Sequence, residues 1–196
     1  GQVAAAFPQA SVAIWANDFT DDHRIGLKPL RKQVWCLPGQ RPVAPGPHRD
    51  AWCSLVAFVH SASARTVLHL ASAVNIPLFA AELQAFARAV GAGPQQQMVL
   101  VLDRASRHTS TQLRVPDHPH LLFLPAYSPE LNPAEQLWPL TNTALANQHF
   151  KTLDDLEEAQ AARCVALPAR PDRIRSTTCF HWWPRRLRKL QHPPPS

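Results

Sequence analysis

The run Met98-Val99-Leu100-Val101-Leu102, closed by Asp103, limits the architecture more than any other stretch of the chain. Continuous apolar residues leave no polar face, so a strand made from them is covered on both sides and its last residue emerges at the carboxyl edge of a sheet. "HLLFLP" (120–125) repeats the pattern. Ahead of them, "IPLFAAELQAFARAVGAG" carries Leu78, Phe79, Leu83, Phe86 and Val90 at helical spacing, with Pro77 suited to a first turn and Gly91 to a stop. Further upstream, "SVAIWAND" (11–18) and "KQVWCLP" (32–38) read as strands, and "AWCSLVAFVH" (51–60) with "RTVLHLA" (65–71) reads as a hairpin. A short helical turn is expected near His108 to Leu113, and helices over 133–147 and 152–167.

Antiparallel strands, a helix, a strand, a short helix, a strand and further helices make an α/β chain. The order matches a ribonuclease-H-like mixed sheet, three antiparallel strands followed by parallel ones, flanked by helices. At 196 residues, one sizeable domain is the expectation. Residues 1–168 are read as that domain and 169–196 as a basic tail containing Trp and Pro. The four cysteines form no CxxC pair, so the sequence suggests neither a disulfide framework nor a zinc knuckle. With no run of about eighteen apolar residues and no signal-peptide pattern, a cytoplasmic, nucleoid-associated protein with no membrane contact is expected.

The formal net charge is +6, unevenly spread. Residues 1–162 hold 12 Lys and Arg against 13 Asp and Glu, whereas 163–196 hold 8 against Asp172 alone. A second basic group, Arg24, Lys28, Arg31, Lys32, Arg41 and Arg49, has no acid between its ends. Such patches suit a polyanion, although a solvated surface explains them equally well.

Asp103 must leave the core or find a partner there, and a strand-end aspartate capping the next turn is the structural account. Asn132-Pro133-Ala134-Glu135 likewise fits an N-cap, a first-turn proline and a capping-box glutamate. The two acids together say more. Separated by one strand, they can share a sheet edge, where their repulsion is relieved by Mg²⁺ or Mn²⁺. Asp18, Asp21 and Asp22 in "WANDFTDDHRIGL" are candidates for a third acid. His108 is read either as approaching a phosphate or as capping the short helix. Trp182 and Trp183 are read as packing on the domain or else as stacking on bases or a partner subunit, and "HPH" (118–120) offers no complementary ligand pair at zinc spacing.

"WANDFTDDHRIGLKPLRKQVWCLPGQRPV", "VLVLDRASRHTS", "LLFLPAYSPELNPAEQLW", "LANQHFKTLDDLEEAQAARC" and "IRSTTCFHWW" resemble, in that order, the catalytic half of DDE-type transposases of the insertion-sequence 630 group, relatives of mariner elements. The resemblance implies a ribonuclease-H-like domain whose three acids bind two divalent ions, Mg²⁺ or Mn²⁺. Asp103 matches the aspartate of the "LDRAxxH" motif and Glu135 the glutamate of "NPxE". For the first acid, reading back from His23 to Pro29 gives Asp21, with Asp22 replacing a glutamate. Reading forward from Trp15-Ala16 gives Asp18, followed by about three extra residues. Asp21 is preferred because its flanking match is longer.

The implied activity is metal-dependent DNA strand cleavage and strand transfer, with Arg24, Lys28, Arg31 and Arg104 holding phosphates. The implied partners are transposon-end and target DNA, and either a second copy or a polypeptide carrying the helix-turn-helix part that the family places ahead of this domain. A degenerate remnant that only binds DNA or a transposase subunit is the competing expectation.

Overall fold

The structure, a computed structural model, describes residues 6, 10–18, 24–26, 52–71, 75–105, 108–143, 145–146, 148 and 150–183. Its strands are β1 (Ser11–Asp18), β2 (Arg24–Gly26), β3 (Trp52–His60), β4 (Arg65–Ala71), β5 (Gln96–Leu102) and β6 (His120–Phe123). Its helices are α1 (Ile76–Val90), α2 (Trp138–Asn142), α3 (Leu153–Ala166) and α4 (Pro171–Thr178), with 3-10 turns at Pro129–Leu131, Glu135–Leu137 and Leu167–Ala169. All six strands join one sheet. β3 pairs antiparallel with β4 along one edge and with β1 and β2 along the other. β5 lies parallel to β1, and β6 parallel to β5. The expected mixed ribonuclease-H-like order is therefore present. The strand expected over 32–38 lies outside the described residues, and β2 forms within a stretch read as a basic connection.

Alternation along the strands divides the core in two. On one face, Trp15, Val56, Phe58, Met98, Leu100 and Leu102 pack against Phe79, Leu83, Phe86, Ala87 and Val90 of α1. Phe58 and Phe86 stack with ring centroids 3.9 Å apart, and Trp15 meets Phe86 edge-on at 5.0 Å. On the other face, Ala16, Leu55, Ala57, Val59 and Val101 meet Ala134, Leu137, Trp138, Leu156, Leu167 and Ile174. Both faces of β5 are thus covered, as its apolar run requires. Burial pushes the Cys53 and Cys164 thiols up to about 11, so at neutral pH both are protonated packing groups.

Local chemistry sets most element ends. Asn75 Oδ1 accepts from the Leu78 amide at 2.9 Å, Pro77 fills the first turn of α1, and Gly91 closes it with φ of 74°. Thr152 and Asp155 form a reciprocal capping box on α3. The helix expected over 133–147 is instead the turn Glu135–Leu137 running into the short α2. Pro139 is the reason. It has no N–H to donate to the Glu135 carbonyl, and its ring crowds that carbonyl, so the α-helix restarts with proline in its first turn. Of the segment read as a tail, α4 buries Ile174 and Thr178, and Trp183 is also buried, while Trp182 stays 46 % exposed.

His69 of β4 and Glu82 of α1 form a close, partly buried ion pair that holds His69 above its ordinary value of 6.5, chiefly through the Glu82 hydrogen bond. Because the folded pKa is raised, the pair contributes fully below pH 6.5 and its contribution fades as pH rises through the shifted value. Thermal melts of the parent and Glu82→Gln should differ most near pH 5.5 and converge toward pH 9. The difference should not exceed about 1 kcal/mol, because solvent reaches 35 % of the His69 side chain.

Candidate active site

Asp103 is the first residue beyond β5 and is half-buried. Its Oδ1 accepts from the Ala105 amide at 3.1 Å, which is the turn-capping role expected of a strand-end aspartate. The same Oδ1 lies 2.6 Å from Nδ1 of His108, whose side chain is fully buried. The His108 ring also rests on Phe79 of α1, centroids 4.5 Å apart. His108 therefore neither points into solvent nor caps a helix: wedged against α1, it holds the Asp103 carboxylate. The five-residue spacing of Asp103 and His108 is the signal in the sequence for this direct pair.

Glu135 is set by a different network. The backbone turns at Pro129–Leu131, and Asn132, 1 % exposed, follows it. Asn132 Oδ1 accepts from the Ala134 amide at 3.1 Å, its carbonyl accepts from the Glu135 amide at 3.2 Å, and its Nδ2 donates to the Asn17 carbonyl at 3.0 Å. Asn17, itself buried, donates from Nδ2 to the Ala57 carbonyl of β3 at 2.9 Å. Asn132 thus caps a turn, as expected, but a tight two-residue turn rather than the start of an α-helix. Its amide also ties the turn to β1 one residue before Asp18. This link joins positions 115 apart in the chain and had no counterpart in the sequence reading. Two asparagines in otherwise apolar surroundings, "WAND" and "LNPA", were the visible hint.

β1 and β5 pair in a constant parallel register, Ser11 with Gln96 through Ala16 with Val101. Two residues further along each strand stand Asp18 and Asp103, at the carboxyl edge. The antiparallel register against β3 changes between β1 and β2. Asp18 faces Ala57 and Arg24 faces Ser54, so six residues along the chain cover three on β3. The surplus of three falls within 19–23, which lie outside the described residues. Asp21, Lys28 and Arg31 lie outside the described residues. Arg24 opens β2, which pairs with β3 beyond the carboxyl end of β1. Arg104 is exposed, and its Nε donates to the Leu124 carbonyl at 3.2 Å, which holds it beside the loop leaving β6. The "HPH" stretch has a structural use, since Nε2 of His120 lies 2.8 Å from Gln97 Oε1.

Among the described residues, no three His, Cys, Asp or Glu side chains gather as a metal site. Hard carboxylate oxygens such as those of Asp103 and Glu135 are nonetheless the donors that Mg²⁺ and Mn²⁺ prefer. A sequence model of the DDE superfamily endonucleases matches residues 18–157, a range that opens at Asp18 and contains Asp103 and Glu135. The chain belongs to the DDE superfamily endonucleases.

Solved structures share the fold of this chain. The Mos1 mariner paired-end complex with manganese aligns with a TM-score of 0.55 at 20 % identity, over 86 % of this chain and 56 % of the Mos1 chain. The Mos1 strand transfer complex aligns with a TM-score of 0.53 at 18 % identity, over 89 % and 56 %. The chain spans a little over half the length of those Mos1 chains. An uncharacterized protein of Sinorhizobium fredii (strain NBRC 101917 / NGR234), y4pE/y4sA, is 40 % identical over 85 residues, 43 % of this chain and 63 % of that protein. No helix among the described residues is long and apolar enough to cross a membrane.

Replacing Asn132 with Ala strands the Asn17 carbonyl and the Ala134 amide in a buried site. A loss of about 2–4 kcal/mol in unfolding free energy is expected, measured by urea denaturation. Asn132→Asp keeps the acceptor for Ala134 but not the donor to Asn17, and should also destabilise the fold.

Proposed function

We propose that this chain is a DDE transposase catalytic domain that cuts DNA strands at transposon ends and joins them to target DNA, using Mg²⁺ or Mn²⁺. The observation that carries this reading is the shared carboxyl edge. The β1–β5 register runs toward Asp18 and Asp103, and Asn132 ties the turn bearing Glu135 to the carbonyl of Asn17. Three carboxylates carried by two adjacent strands and one tethered turn would suit two cations. Asp103 and Glu135 would hold the ions together with a first acid from the end of β1.

For that first acid, Asp18 is supported over Asp21 by the ladder. Asp18 is still paired with Ala57, and the β1–β5 register runs level toward Asp18 and Asp103. This reverses the order of preference that the flanking motif alone suggests. Bound ions would supply the charge that activates an attacking water or 3′-hydroxyl and stabilises the leaving oxygen during in-line displacement. The protein's own groups hold and orient. His108 fixes the Asp103 carboxylate from the α1 side, and the Asn132 turn fixes the backbone of Glu135. Arg104, held beside the β6 loop, is suited to a strand phosphate, and Arg24, Lys28 and Arg31 are proposed to bind phosphates along the same DNA. Phosphate contacts of this kind make DNA binding steeply salt-dependent.

Nicking of supercoiled plasmid with Mg²⁺ or Mn²⁺ tests the assignment. Asp103→Ala and Glu135→Ala should each reduce metal-dependent nicking by at least about a hundredfold, the scale of losing a group that acts in the transition state. Asp18→Ala should match them, and Asp21→Ala should retain most activity. The opposite pattern at 18 and 21 would return the first acid to Asp21. Metal-dependent nicking that survives both Asp103→Ala and Glu135→Ala would remove this site from consideration.

A further inference from the structure

Tyr127 sits in the loop between β6 and the turn Pro129–Leu131, at the same carboxyl edge as Asp103. Its side chain is fully exposed, at 101 % relative accessibility, and its φ is +57°. Both features run against ordinary preference. Aromatic side chains bury large areas when they serve the fold, and left-handed backbone is adopted freely by glycine but resisted by L residues. A residue kept in strained backbone without burial points to a role outside the fold.

The surroundings define that role. The loop is anchored at its start, where the Leu124 amide donates to the Leu102 carbonyl at 2.9 Å, one residue before Asp103. It is anchored at its end by the Leu131 amide donating to the Ser128 carbonyl at 3.1 Å. Arg104 donates to the carbonyl of Leu124, so a guanidinium and an exposed phenol flank one short loop. A cation for a phosphate beside a flat ring for a base is the usual combination for gripping an unpaired nucleotide. A single ring on a turn offers too little contiguous apolar area for a protein interface.

We infer that Tyr127 stacks on an unpaired base of the DNA strand held at the carboxyl edge. The inference rests on the DNA-processing reading above and adds to it a base contact that no acid or arginine supplies. The ring face acts and the hydroxyl is dispensable. Because every base offers a π-face, the contact is indifferent to sequence.

Binding of the full chain to a single-stranded oligonucleotide carrying 2-aminopurine tests it, without divalent metal and across a salt series. Tyr127→Phe should bind and quench like the parent. Tyr127→Ala should lose about ten- to a hundredfold in affinity and most of the quenching, with an unchanged salt slope because no phosphate contact is removed. Tyr127→Gly should lose binding equally while its thermal midpoint rises, since glycine relieves the backbone, and this rules out unfolding as the cause. Parent-like binding by Tyr127→Ala, or a loss in Tyr127→Phe as large as in Tyr127→Ala, would overturn the stacking role. So would an effect of Tyr127→Ala confined to self-association. If the parent nicks plasmid with metal yet its DNA binding ignores Tyr127, only the stacking fails. If the parent neither binds DNA nor nicks it, the functional reading fails and the stacking with it.

Discussion

The buried amide of Asn132 joins two parts of the chain that propensity alone would leave apart. Its Nδ2 donates to the carbonyl of Asn17 at the end of β1, and its Oδ1 turns the backbone toward Glu135. Asn17 extends the connection to β3 through the Ala57 carbonyl. In an apolar interior these bonds are costly to leave unmade, so the turn has little freedom to drift from the strand. The position of Glu135 relative to the sheet edge depends on that constraint, as does the approach of Leu137 and Trp138 to the core.

The sheet gives this tether something rigid to attach to. β1 and β5 are covered on both faces, by the aromatic cluster under α1 on one side and by α2, α3 and α4 on the other. Close packing on both sides leaves the strand ends as the place where polar groups can converge, which is why acids that follow apolar runs collect there. His108 shows the two layers cooperating. Its ring is held against Phe79 of α1, and its Nδ1 reaches Asp103, so packing beneath the sheet determines where a carboxylate at its edge can point.

Much of the fold was legible in the sequence because the controlling signals are local. The caps of α1 and α3, the apolar run of β5 and the hairpin of β3 and β4 depend on residues within a few positions of one another. Where local reading failed, a competing local rule explains the miss: Pro139 breaks the helix expected over 133–147. The site was legible only in part. Asp103 and Glu135 are singled out by their local context, whereas the flanking motifs for a first acid pull in opposite directions, toward Asp18 and toward Asp21. The ladder that keeps Asp18 paired with β3 is a nonlocal quantity.

By itself, the sequence determined which segments become strands and helices, which two acids stand at their ends, and which family the chain resembles, because periodicity, caps and motifs act over short distances. Tertiary structure alone decided that Asn132 reaches Asn17, that His108 grips Asp103, that Asp18 runs level with Asp103, and that Tyr127 stands in strained backbone outside the core. These depend on strand register and on burial, which arise only when residues about a hundred positions apart are packed together.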